Sequence, residues 1–229
     1  LPVESVGRWL AAIVGLHDFG KAIPGFQGKW PEGELADKAC GLGFHSSLVE
    51  ITDHACATAA LLGKELSRLS EAEQEWVRHV LQAISAHHGY HFSRAEEERA
   101  RLAGKGTGRD EARPGVLDAY WATLSPSGTP SQDALTTPAV NWLAGLTSVA
   151  DWVASNPDWF PLGERRDGFR DYYQYALELA SSALEKIGWS RANPLLQEPA
   201  DTPALLGRIT GRGQSLLPRP LQEVGHRLL

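Results

Sequence analysis

Apolar residues recur at helical spacing along most of the chain, and few segments alternate with the period of two that a half-buried strand requires. Val6, Leu10, Ile13 and Val14 form one stripe that runs on to His17 and stops at Gly20. The stretch from Ala22 to Phe44 carries Pro24, Pro31 and several glycines and predicts a loop. A second helix is predicted from Leu48 to Leu69. Ser70 and Glu73 have capping-box spacing for a third, which runs to His88 and ends at Gly89. Ser93 and Glu96 repeat that spacing before a short charged helix. Gly104 to Gly115 mixes glycine with charge and predicts a mobile loop, and Ser125 to Ser131 a polar one.

Thr137-Pro138 reads as an N-cap followed by proline at the first helical position. The helix that follows, to Ser155, carries Val140, Trp142, Leu143, Leu146, Val149, Trp152 and Val153. A helix apolar on every side is expected to be buried on every side. Phe169 to Ile187 predicts a further amphipathic helix, and from Arg191 prolines and glycines dominate. The fold class is therefore all-α, with one domain over 1–190 and a linker over 191–229. No internal repeat is visible.

Composition sharpens this picture. A chain of 229 residues, 42% of them hydrophobic, can bury a sizeable core. No run approaches the roughly 18 continuous apolar residues of a membrane span, and no signal-peptide pattern is present. Cys40 and Cys56 are too few for a disulfide framework and fit a reducing compartment, so a cytoplasmic location is expected. A net charge of −6 argues against a surface that clings everywhere to nucleic acid, but not against an enzyme that receives a strand from a partner. The chain has no methionine, not even at position 1, so either its start lies upstream and some residues are missing, or its composition is unusual.

Four stretches carry candidate chemistry. The first is Leu16-His17-Asp18-Phe19-Gly20-Lys21. A histidine and aspartate side by side at a helix end can offer a metal one nitrogen and one or two oxygens, and the carboxylate can bridge two ions. A helix-terminal histidine with a capping aspartate is the alternative. The second is His87-His88-Gly89, which follows Ala83-Ile84-Ser85-Ala86. Neighbouring helical side chains point about 100° apart, so both rings reach one ion only near a helix end, and Gly89 supplies that end. On the flank of a buried stripe the pair reads as metal ligands.

The third is Asp151, the one charged residue between Leu146 and Asn156. A lone buried carboxylate costs several kcal/mol, so it is either coordinated or part of a buried ion pair. The fourth is His54, preceded by Asp53 as a candidate cap; taken alone it reads as a satisfied core histidine. Of the other histidines, His45 is a candidate substitute for His54, His79 a surface residue and His91 a candidate lining of the substrate path. Nitrogen and oxygen donors without cysteine suit manganese, iron, cobalt, nickel or magnesium better than closed structural zinc. The set is large enough for one or two ions, and two ions about 3.5–4 Å apart are a known device for phosphodiester hydrolysis.

Leu16-His17-Asp18-Phe19-Gly20-Lys21, Asp53-His54-Ala55-Cys56-Ala57, Ala86-His87-His88-Gly89 and the run from Gly145 to Asn156 resemble the HD nuclease domain of the type I CRISPR helicase-nucleases. Ala150-Asp151-Trp152, followed by Ser155-Asn156 and Asp158-Trp159-Phe160, is the most specific part and is most similar to the type I-E branch. The resemblance covers about residues 9 to 160. It implies a helical HD bundle with long loops in which Asp18 bridges two divalent ions. His17 and Asp151 then serve the first ion, and His54, His87 and His88 the second. Asp18 and Lys21 are the implied catalytic residues, with Lys21 steadying a phosphate or the leaving group. The family also has an upstream histidine, one helix before the His17 motif, which this chain begins too late to contain. Pro218-Arg219-Pro220-Leu221-Gln222 resembles the start of a superfamily 2 helicase domain, with a plain proline-rich tail as the alternative.

The implied function is metal-dependent cleavage of single-stranded DNA. The strand would arrive from a helicase, fused or separate, after a crRNA-guided surveillance complex has opened the duplex. Trp30, Tyr90 and Phe92 are candidates to stack bases. Two rival readings remain: an HD phosphohydrolase acting on nucleotides or cyclic nucleotides, and a non-catalytic HD docking module. The histidine pair with Gly89 and the Ala-Asp-Trp segment count against the first, and the absent upstream histidine is the support for the second.

Overall fold

The computed structural model describes residues 3–45, 49–103, 105, 107–128, 130, 133–161, 168–189 and 203–204. Every regular element among them is helical. Helix α1 spans Val3–Gly15 and tightens into a 3-10 turn over Leu16–Lys21. Two short helices follow, α2 over Pro24–Gln27 and α3 over Pro31–Ala39. The next two are α4 over His54–Leu61 and α5 over Gly63–Ser70. Helix α6, Gln74–Ser85, runs into a second 3-10 turn, Ala86–His88. Helices α7 (Arg94–Ala103), α8 (Arg109–Leu124), α9 (Thr137–Ala154) and α10 (Phe169–Ile187) complete the order.

Several elements differ from the sequence reading. The stretch 22–44 is not a plain loop: Pro24 and Pro31 each open a helix, because proline's fixed φ and missing N–H suit the first helical position. The helix predicted over 48–69 is two helices with a step at Leu62-Gly63, where a Cβ on Gly63 would press on Leu81 Cδ1 at 3.2 Å. Ser70 closes α5 rather than capping α6. Its hydroxyl donates back to the Leu66 carbonyl at 2.7 Å, and Glu71 turns the chain at φ 52°. The box at Ser93 is present: Glu96 Oε2 accepts from Ser93 N at 2.7 Å, and Ser93 Oγ accepts from Glu96 N at 3.4 Å.

The glycine-rich stretch before Gly115 folds from residue 109 onward into α8, with Pro114 inside it. Its arginines are what the charge count concealed. Arg109 is buried, donating to the Gly43 carbonyl and to Asp37 Oδ2 at 2.8 Å each, and lying 4.3 Å from the Phe44 ring centre. Helix α9 is capped by Thr136, whose Oγ1 accepts from Ala139 N at 3.4 Å, one residue earlier than expected. It is not buried on every side: Val140, Leu143 and Thr147 are, whereas Trp142 and Trp152 are 58% and 75% exposed.

Two apolar clusters position the chemistry. The larger joins Trp9, Ile13 and Leu16 to Leu66 on α5, Val80 and Ile84 on α6, Leu117 on α8 and Leu143 on α9. Trp9 meets Trp76 and Trp121 edge-on at ring-centre distances of 6.2 and 5.5 Å. The smaller cluster joins Ile23 to Cys56, Ala57 and Ala60 on α4 and Ala100 on α7. The first 3-10 turn therefore connects the two cores, with Leu16 in one and Ile23 just past it in the other. Compact units divide within α10, at Leu1–Ala180 and Ser181–Leu229. Most of the expected linker over 191–229, including Gln222, lies outside the described residues. No described helix is long and apolar enough to cross a membrane.

The turn sits on α4 at a distance only glycine permits. A Cβ on Gly20 would lie 1.9 Å from the His54 carbonyl oxygen and 2.5 Å from Thr58 N. Gly20→Ala is expected to cost about 3 kcal/mol or more and to lower the melting temperature by roughly 6–12 °C. Gly7→Ala, on an exposed face of α1 with nothing within 4 Å, is expected to be neutral or to raise stability by about 0.5–1 kcal/mol in the same thermal melts.

Candidate metal centre

The same local construction occurs twice. In each 3-10 turn a buried histidine bends back onto the helix before it: His17 Nδ1 contacts the Val14 carbonyl at 2.7 Å, and His87 Nδ1 the Ile84 carbonyl at 2.7 Å. A carbonyl can only accept, so Nδ1 carries the proton in both rings, and in the neutral ring Nε2 keeps its lone pair. Both Nε2 atoms are buried and have no hydrogen-bond partner. This is how proteins fix the tautomer and aim of an imidazole that ligates a metal. Gly89, at φ 91°, ends the second turn directly after His88.

Helix α4 brings the third histidine. Asp53 Oδ1 accepts from Cys56 N at 3.0 Å and so starts the helix at His54. Thr58, fully buried, accepts from Gly20 N at 2.8 Å, and its hydroxyl faces the carbonyls of His17 at 2.7 Å and His54 at 3.0 Å. One hydroxyl thus ties the His-Asp turn to the helix that carries His54. Helix α9 supplies Asp151, whose Oδ1 accepts from Ser155 Oγ at 3.0 Å. Ser148, one turn earlier, donates to the His87 carbonyl at 2.8 Å and locks α9 to the second 3-10 turn. Sequence reading missed Thr58, Gly20, Ser148 and Ser155. The one visible signal was Thr58, a polar side chain in the otherwise apolar run Ala55–Leu62.

The six candidate ligands converge. His17, His87 and Asp151 form one group of donor atoms, and His54, His87 and His88 a second, each within 4.8 Å internally. His87 belongs to both. Asp18 lies between them: Oδ2 is 3.4 Å from His17 Nε2, and Oδ1 is 3.3 Å from His54 Nε2. His17 Nε2 is also 3.4 Å from Asp151 Oδ1, and His54 Nε2 is 3.3 Å from His88 Nε2. Donors held about 2.0–2.1 Å from one ion stand roughly 3.0–3.4 Å from each other, so these spacings are those of ligand edges. Asp18 Oδ1 is buried and makes no hydrogen bond despite its nearness to His54. The orphaned Nε2 and Oδ1 atoms and the mixed nitrogen–oxygen donor set therefore fit divalent cations. Lys21 Nζ pairs with Asp18 Oδ2 at 2.5 Å. His45 is exposed and belongs to neither group, His79 is half-buried on α6 rather than at the surface, and His91 is exposed just beyond the pair.

Burial also sets the protonation states. It pushes His54 down to about 4, against the opposing pull of Asp18, and it lowers His87 as well. Both rings are neutral and ready to ligate near pH 7. Burial works to raise the Asp151 carboxyl, but the Ser155 hydrogen bond and the nearby His17 outweigh it and hold Asp151 below the usual carboxylate range. The charges of this centre thus favour a cation.

A family model for the Cas3 HD domain matches residues 1–160. The chain belongs to the Cas3 HD domain family. The CRISPR-associated endonuclease/helicase Cas3 of Thermus thermophilus is 38% identical over 194 residues, which cover 82% of this chain and 21% of that protein. The chain thus spans about a fifth of that relative's length. A solved structure of a CRISPR-associated protein is similar with a TM-score of 0.70 at 28% identity, over 91% of this chain and 25% of that one. Every candidate ligand, from His17 to Asp151, falls inside the stretch matched to the Cas3 HD domain, and α10 falls outside it.

Two measurements follow from this geometry. In calorimetric titrations with Mn2+ or Ni2+, Asp151→Ala is expected to weaken one binding step at least about tenfold and His88→Ala the other, whereas His87→Ala weakens both. The metal-free domain should also lose stability on acidification. His54 is held below its unfolded value of about 6.5, so its contribution is complete above that pH and is lost as the pH falls towards about 4. His54→Gln should flatten the pH dependence of the melting temperature over that window.

Proposed function

We propose that this chain is a metal-dependent nuclease domain that cuts single-stranded DNA in CRISPR interference, on strands delivered by a helicase. The observation that carries the reading is the pair of donor groups joined at His87 and spanned by Asp18. Membership of the Cas3 HD family supports it, as does the relative named as an endonuclease/helicase. The Ala150-Asp151-Trp152 segment is the ground for assigning the type I-E branch. Residues 1–190 form the nuclease domain in this reading, and 191–229 lead into the helicase. The working partners are that helicase and a crRNA-guided surveillance complex, in the cytoplasm.

Divalent ions at this centre, among manganese, nickel, cobalt, iron or magnesium, would supply Lewis acidity that activates water and neutralises phosphate charge. The protein's own part is positional. His17 and Asp151 hold one side of the centre, His54 and His88 the other, and Asp18 fixes the distance between them. Lys21, 37% exposed at its side chain, presents a cation beside Asp18 where the charge of a bound phosphodiester develops. Nothing in this arrangement reads a base, so cleavage without sequence preference is expected.

The test is cleavage of labelled circular single-stranded DNA in manganese, nickel or EDTA, beside duplex DNA and free nucleotides. Loss of the circle with manganese or nickel but not EDTA is the expected result. Asp18→Ala should abolish it, and Lys21→Ala should slow it by about 100-fold. Hydrolysis of nucleotides with DNA untouched would instead make the protein a nucleotide phosphohydrolase. Cleavage that survived Asp18→Ala would overturn the bridging role.

A further inference from the structure

A groove of about 1040 Å³ lies away from the metal centre, between α4, the start of α5, α6 and the region around Phe92 and Arg101. Its charge is opposite to that of the chain. Lys64, Arg78 and Arg101 line it against Glu97, in a protein of net charge −6. Its walls are otherwise apolar or neutral, with Leu61, Val77, Leu81 and Phe92 beside Ser67 and Gln82. Cations along an apolar, aromatic-bearing groove are what a single nucleic-acid strand needs, phosphates on one side and bases on the other.

One wall leads toward the donor groups. Along α6 the lining residues Gln74, Arg78, Leu81 and Ser85 follow one helical face. That face continues through the 3-10 turn, where residues three apart eclipse, from Ser85 to the exposed His88. His91 and Phe92 close the near end, and His91 is at most about 10 Å of extended chain from His88. The cations are available at little cost. Among the described residues Arg78 makes exposed contacts with Glu75 at 3.2 Å and His79 at 3.0 Å, and such pairs contribute little. Arg101 bonds the Ala60 carbonyl through Nε at 3.2 Å.

We propose that this groove is a single-strand track that guides nucleic acid to or from the His54–His87–His88 side of the centre, with Lys64, Arg78 and Arg101 as phosphate contacts. This rests on the nuclease reading above, but its test does not require cleavage. Fluorescence anisotropy of labelled oligothymidylate is measured with the full chain in EDTA, at several salt concentrations. Lys64→Glu with Arg78→Glu is expected to weaken binding at least tenfold. It should also reduce the slope of log K against log salt by about 1.4, since each single-strand phosphate contact contributes about 0.7. The melting temperature and manganese titration of this variant should stay those of the unaltered chain, which separates a lost track from a misfolded domain. The neutral pair Lys64→Gln with Arg78→Gln should show the same slope change with a smaller loss of affinity. Oligothymidylate binding unchanged in both variants overturns the track, as does tighter binding of polyglutamate than of oligothymidylate, which would mark an acidic protein as the occupant. Groove-dependent binding in EDTA with no cleavage in manganese would sink the nuclease reading and leave the track standing.

Discussion

The contact on which the candidate centre depends is the close seating of the 3-10 turn Leu16–Lys21 against α4. It is made by a glycine and a threonine. Gly20 lets backbone meet backbone, and the buried Thr58 hydroxyl takes up the Gly20 N–H while facing the carbonyls of His17 and His54. Buried backbone polar groups must be paired, and here one side chain engages groups from both segments. The distance between His17-Asp18 and His54 is thereby fixed before any ion binds. Asp18 can then face a donor on either side, at 3.4 and 3.3 Å.

Around that seat the rest is supporting architecture. The two apolar clusters flank the turn, so packing in either pulls on the same six residues. His17 and His87 each donate Nδ1–H to a carbonyl of their own helix end, which costs no additional element and leaves Nε2 aimed inward. Ser148 then joins α9 to the centre through the His87 carbonyl, and Ser155, at the end of the same helix, orients the Asp151 carboxylate. The outcome is a partly buried cluster whose acceptors outnumber its donors, the condition under which a cation is the natural neutraliser.

Much of this was legible in the sequence, and the failures have physical causes. Helical periodicity gave the fold class because the buried faces of α1 and α6 recur with the helical period. Caps were less secure. Ser93-Glu96 is a true box, whereas Ser70 and Glu73 straddle a left-handed turn at Glu71, and the same spacing served a helix end. Prolines misled at 24 and 31, since proline both breaks helices and starts them. Arg109 misled because charge was taken as solvated, while its guanidinium is consumed by Asp37, a carbonyl and a ring. The candidate ligands were legible because histidine and aspartate at helix ends are chemically conspicuous. Thr58 shows only as a polar residue in an apolar run and Ser148 not at all, since a hydroxyl bonding to a distant carbonyl leaves no pattern that names its partner.

The donors come from four separated segments, the two 3-10 turns, α4 and α9, and Asp151 is the last of them to be synthesised. During translation the centre therefore assembles late. His54, His87 and His88 are all synthesised before α8, whereas the group that includes Asp151 needs α9. The order of ligands along the chain acts as a timer, and the second half of the centre forms only after α9 has cleared the ribosome and packed.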